Sequence, residues 1–424
     1  MNEKLLHFIW QYKLYSMVSL KTVHGEEMSV IDSGKPNTNA GPDFFNAKVI
    51  IANTLWAGNL EIHVHASDWF KHKHQLDSNY DSVILHVVLH NDVQVTRTNG
   101  EVIPQIELAI PERLLEIYAQ LMQNSQWIPC ATKLKLVDAV IIQSWMQTMI
   151  AERLSAKENL IHSIQEANKT DWESSFYIVL ARSFGFDTNS DAFELLAKSL
   201  PLKCLAKHKD KPFQLEALLF GQSGLLHLQQ KAPDAYQLEL LKEYNFLRVK
   251  YDLRPIDGKM WKMLRLRPPN FPYIRIAQFA ALVHRSSKLF SQVIAAESVK
   301  ELHKLFNCEP SEYWLTHYRF GEICPIKSKK IGKSALDILL INTVAPFLFA
   351  YGQSIADEAM QDKALALLES LPAEKNSVIE QWRLLGVKAI SAFDSQALLQ
   401  LKNKYCDDKK CLRCRIGHKV LTSV

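Results

Sequence analysis

The period of the apolar pattern changes once along this chain, and that change limits the fold more than any other feature. Up to about residue 110, apolar residues fall in short β-rich runs bounded by turn residues; beyond Pro111 they recur at helical spacing almost throughout. Alternation buries one face of a sheet, whereas helical spacing buries a stripe, so two kinds of packing must follow one another. With 424 residues, 47% of them apolar, both parts can build a core. The fold class read from this is α+β: a small mixed β-sheet domain with flanking helices over residues 1–111, then a large all-α region over residues 112–400. A sub-boundary falls near 267–272, where Arg267-Pro-Pro-Asn-Phe-Pro272 stops any helix, and residues 401–424 form a basic Cys-rich tail.

Within the first part, residues 3–18 have the spacing of an amphipathic helix, and Met28–Ile31, Phe44–Ile51, Asn59–His65, Ser82–His90 and Val102–Ile110 read as strands. Ser67 is placed to cap a short helix at Asp68-Trp69. Six of the chain's 15 histidines lie between His63 and His90, where even spacing would put roughly one. Strand alternation puts Glu61, His63 and His65 on one face of their strand, and His86 and His90 on one face of the next. Asp43 opens the preceding strand directly after Gly41-Pro42. His65, His72 and His74 together could also form a transition-metal site. A purely structural reading stands beside these, with Asp43 capping a turn and Glu61 paired with Lys48 across strands.

The order is a helix, a strand opened by Pro42-Asp43, a strand carrying Glu61-Ile62-His63, a helix and a further strand. It resembles the PD-(D/E)XK nuclease superfamily. The resemblance implies a restriction-endonuclease-like fold over residues 1–110, with Asp43 and Glu61 as ligands of Mg²⁺ or Mn²⁺. His63 then stands where that family has Lys, as general base or as a further metal ligand, with His65 close by as another candidate ligand. The function implied is a metal-dependent nuclease or phosphodiesterase acting on DNA or RNA. The alternative is a noncatalytic nucleic-acid-binding or scaffold protein with a degenerate nuclease-like domain, because the change from Lys to His also fits loss of cleavage. The whole chain is also similar to an uncharacterised family of large bacterial proteins that share Gly-Pro-Asp-Phe, Glu-Ile-His and a cysteine-rich tail.

The tail carries Cys406, Cys411 and Cys414 at x4 and x2 spacing, with His418 beyond. Four such donors suit a structural tetrahedral zinc site, because they leave no open position for catalysis. An iron–sulfur cluster ranks behind zinc, with Cys130, Cys308 or Cys324 closing the site. Lys327, Lys329 and Lys330, and in the tail Lys410, Arg413 and Arg415, form basic runs suited either to phosphate contact or to a solvated face. The net charge of +5 is mild, so any nucleic-acid surface is local. No P-loop, Rossmann glycine fingerprint, Gly-x-Ser-x-Gly or His-Glu-x-x-His run occurs, which disfavours the enzyme classes built on them. Seven cysteines, no apolar signal segment and a most apolar stretch (Ala335–Tyr351) interrupted by Asp337, Asn342 and Pro346 point to a reduced, cytoplasmic protein without a membrane span.

Overall fold

In the computed structural model, residues 3–16, 20–169, 171–227, 233–286 and 288–423 are described. The fold is mixed α+β, and the chain divides into two compact units. The first holds Met1–Trp145 together with Leu401–Val424, and the second holds Met146–Gln400.

In the first unit, helix α1 (Glu3–Gln11) buries Leu5, Leu6, Ile9 and Trp10 and packs on the sheet at β4. It ends earlier than its apolar spacing suggests, because Lys13 turns into the left-handed region at φ 52°. The six strands are β1 (Met28–Asp32), β2 (Lys35–Pro36), β3 (Phe44–Ile51), β4 (Thr54–His65), β5 (Val83–His90) and β6 (Gln105–Glu107). The sheet order is β1-β3-β4-β5-β6, with β2 beside β3; β1, β3 and β4 run antiparallel, whereas β5 is parallel to β4 and β6 to β5.

A two-residue turn joins β3 to β4. Ala52 and Asn53 both have positive φ, of 47° and 69°, and Ile51 pairs with Thr54. β4 therefore begins five residues before the expected strand. The parallel pair β4–β5 needs a crossover, supplied by α2 (Asp68–Lys71) and two short 3₁₀ turns, His74–Leu76 and Ser78–Tyr80. Trp69 of that crossover packs into one cluster with Val83 of β5 and with Val95 and Ile103 beyond it. The strand expected over 102–110 is reduced to three residues, because Pro104 has no N–H to donate and only its carbonyl accepts from His86 N, at 2.9 Å.

The second unit is helical apart from a short hairpin at His317–Arg319 and Glu322–Ile323. The proline-rich break forms a 3₁₀ turn, Pro268–Asn270, and Pro272 then starts a helix where a missing N–H does no harm. One helical run, Lys333–Ser354, is long and apolar enough to cross a membrane by length and composition, and 72% of its most apolar window is buried inside the protein. Its middle widens into a π turn at Leu340–Val344, directly before Pro346. The wider turn accommodates a ring that would otherwise collide with the carbonyl four residues back.

Candidate metal centre

The centre lies where β3 begins and β4 ends, at the end of the hairpin away from its turn. Phe44 pairs with Leu60, so Asp43 and Glu61 meet across the ladder. Each carboxylate accepts from the other's strand: Asp43 N donates to Glu61 Oε2 at 3.1 Å, and Ile62 N donates to Asp43 Oδ2 at 3.0 Å. From α1, His7 Nε2 reaches 3.2 Å from Asp43 Oδ2. The expected partner of Glu61, Lys48, instead sits opposite Ala57 farther along the hairpin.

The other Glu61 oxygen faces a group of imidazoles. Oε1 lies 3.6 Å from His63 Nε2 and 3.3 Å from His74 Nε2, and His63 Nε2 is 3.0 Å from His72 Nδ1. His63, His72 and His74 bring one ring nitrogen each within 4.8 Å of one another. Donors held about 2.0–2.2 Å from one ion stand roughly 3.0–3.6 Å apart, the spacing of the Glu61–His63, Glu61–His74 and His63–His72 pairs. His74 Nε2 is buried and has no hydrogen-bond partner among the described residues, close as Glu61 Oε1 is.

Alternation alone brings Glu61 and His63 to this point. His72 and His74 arrive because the chain turns back after α2, with Lys73 between them in the left-handed conformation at φ 63°. Behind His63, its Nδ1 pairs with Nε2 of the fully buried His86 at 2.8 Å. Burial, and then the neighbouring His86, His72 and His74, push His63 down to about 2, while burial lowers His86 to about 3. Both rings are therefore neutral and able to act as ligand or acceptor. Burial raises Glu61 well above the usual carboxylate range, and Asp43 adds to it. Asp43, His7 and the exposed His72 leave one side open to solvent.

The remaining sequence candidates lie elsewhere. His65 is exposed at the end of β4, its ring 5.1 Å from that of His90. Cys406 ends a π turn (Lys402–Cys406), Cys411 opens a 3₁₀ turn and Cys414 caps the helix Arg415–Thr422. The ring of His418 packs edge-on against Phe8 and Tyr12. Lys329 is buried, and its Nζ donates to the carbonyls of Leu315 and Lys327, while Lys327 and Lys330 are exposed. Lys410 pairs with Asp408, Arg415 donates to Ser144 Oγ, and Arg413 is exposed. Sequence reasoning passed over His7 and assigned no role to His86; neither lies next to the Glu-x-His run, and only the fold aims them at it.

No curated protein and no solved structure matches the chain. A family profile described as a protein of unknown function, DUF2851, matches residues 3–377. This chain belongs to the DUF2851 family.

Proposed function

We propose that this chain is a metal-dependent phosphodiester hydrolase acting on nucleic acid in the cytoplasm. The observation that carries the reading is the convergence of three imidazoles, His63, His72 and His74, two of which face Glu61 Oε1, beside Asp43 on a solvent-open side of the sheet. Support also comes from the order of elements: a helix, the strand following Asp43, the strand carrying Glu61-Ile62-His63, short helical turns and a parallel strand.

In this reading Glu61, His63, His72 and His74 hold the ion, and His86 keeps the His63 ring oriented by accepting its Nδ1 proton. Three imidazoles favour Mn²⁺ over Mg²⁺, which prefers an all-oxygen shell. A bound divalent ion would supply an acidified water and polarise a phosphoryl oxygen. Asp43, anchored by Ile62 N, faces the open side and orients that water or takes its proton, and His7 beside it can pass the proton on to solvent. Burial alone would lower His7, but the Asp43 carboxylate outweighs it and raises its pKa, so His7 holds a proton more readily than an ordinary histidine. Exposed Arg413, Arg415, Lys327 and Lys330 are available for phosphate contact.

The test pairs metal titration with cleavage of labelled single-stranded and duplex DNA and RNA. Wild type should bind Mn²⁺ and cleave, Glu61→Gln should lose both, and His86→Ala should bind ~10–100-fold more weakly. Cleavage by Glu61→Gln at the wild-type rate overturns the reading. Metal binding without cleavage of any of the four substrates leaves the noncatalytic alternative in its place.

A further inference from the structure

We infer that Cys130, Cys406, Cys411 and Cys414 together ligate an iron–sulfur cluster, with Cys130 as the fourth thiolate.

Four short segments bring these residues to one end of the tail helix. Cys130 caps the 3₁₀ turn Ala131–Leu136, which packs against the helix Arg415–Thr422 that Cys414 caps. The turn opened by Cys411 packs on the same helix and on the π turn that ends at Cys406. Gly417 holds the helix hard against this turn, since a Cβ there would come 2.2 Å from the Cys411 carbonyl oxygen. Cys130, Cys411 and Cys414 are each under a tenth exposed, and all four thiols are free.

The three tail cysteines sit in successive tight turns: Lys409 N donates to the Cys406 carbonyl at 3.2 Å and Cys414 N to the Cys411 carbonyl at 3.3 Å. A second observation points the same way. The indole Nε1 of Trp145 is buried and lies within donating reach of the Cys414 thiol. An N–H held in that position is the donor that a cluster sulfur or thiolate accepts from.

Spacing favours a cluster over a single ion. At Zn–S bonds of about 2.3 Å, the sulfurs of a zinc tetrahedron stand roughly 3.8 Å apart. Among the described residues, three donors within 4.8 Å of one another occur at His63, His72 and His74 and not at the four sulfurs. A cube of iron and sulfide is wider than one ion and takes its four thiolates farther apart. His418, with its ring against Phe8 and Tyr12, is left out of the set.

The test is iron, zinc and acid-labile sulfide analysis of the full chain purified without oxygen, with its visible absorption before and after dithionite. The expected result is about four irons and four sulfides per chain, with a visible band that dithionite bleaches. Cys130→Ser should lose the iron as fully as Cys414→Ser does, and His418→Ala should retain it. One zinc without sulfide, no metal at all, or full iron in Cys130→Ser would each overturn the proposal. Analysis of the wild-type protein stands even if a serine variant fails to fold.

Discussion

Lys157 shows how one side chain sets a pH dependence. Its Nζ donates to Asn342 Oδ1 at 3.0 Å and to Gln396 Oε1 at 3.4 Å, both neutral acceptors. Burial, and then the neighbouring Arg153, lower it to about 7, while Glu374 opposes the shift. An unfolded lysine keeps its proton up to about 10.4. Between those values the unfolded chain binds more protons than the folded one, so stability rises with pH, by at most about 1.4 kcal/mol per unit. Lys157→Met should flatten that rise and stabilise the second unit at neutral pH. Urea unfolding at pH 6, 7.5 and 9 measures this, and equal slopes in both proteins would show that Lys157 is not the group responsible. On the proposed reading Glu61 follows the same rule: its raised carboxyl would give up a proton when a cation is loaded.

At the scale of elements, the approach of β4 to β5 depends on Gly58. A Cβ there would lie 2.4 Å from Ile84 Cγ2 and 2.9 Å from the Ser82 carbonyl oxygen, where β5 begins. That oxygen already accepts from Asn59 N at 3.1 Å, so it cannot move freely. Gly58→Ala should therefore cost about 1–3 kcal/mol and disturb the parallel register that sets Glu61 opposite His86. Chemical denaturation reads the first effect, and metal affinity should fall along with stability. An alanine variant as stable as wild type would mean that the strands separate without penalty at this point. The strands themselves were legible, because alternation in β3 and the continuous apolar run of β5 are local patterns. The crossover was less so: its short turns carry polar residues whose direction depends on left-handed Lys73.

At the scale of the molecule, the first unit is discontinuous, with its C-terminal residues contributing to the core that the N-terminal residues begin. Ile416, Val420 and Leu421 are buried, and the helix that bears them packs against α3 (Glu112–Gln123). Ending the chain at Gln400 should lower the melting temperature of the first unit and leave the helical unit unchanged, since none of the removed residues belongs to it. Hydrogen exchange resolved by segment would separate the two, and unaltered protection of β3 and β4 in the shortened chain would contradict this. The sequence by itself determined the change of texture at Pro111, most strands and helices, and the shared face of Glu61 and His63. Each of these follows from periodicity over a few residues or from a hairpin. Tertiary structure alone decided that His7 reaches Asp43, that His86 backs His63, that Lys329 turns inward and that the turn after Cys130 packs on the tail helix. Apart from those of Lys329, whose partners Leu315 and Lys327 are near in the chain, those contacts join residues tens to hundreds of positions apart, and hydrophobic burial, which brings them together, leaves no periodic trace of which polar side chains will meet.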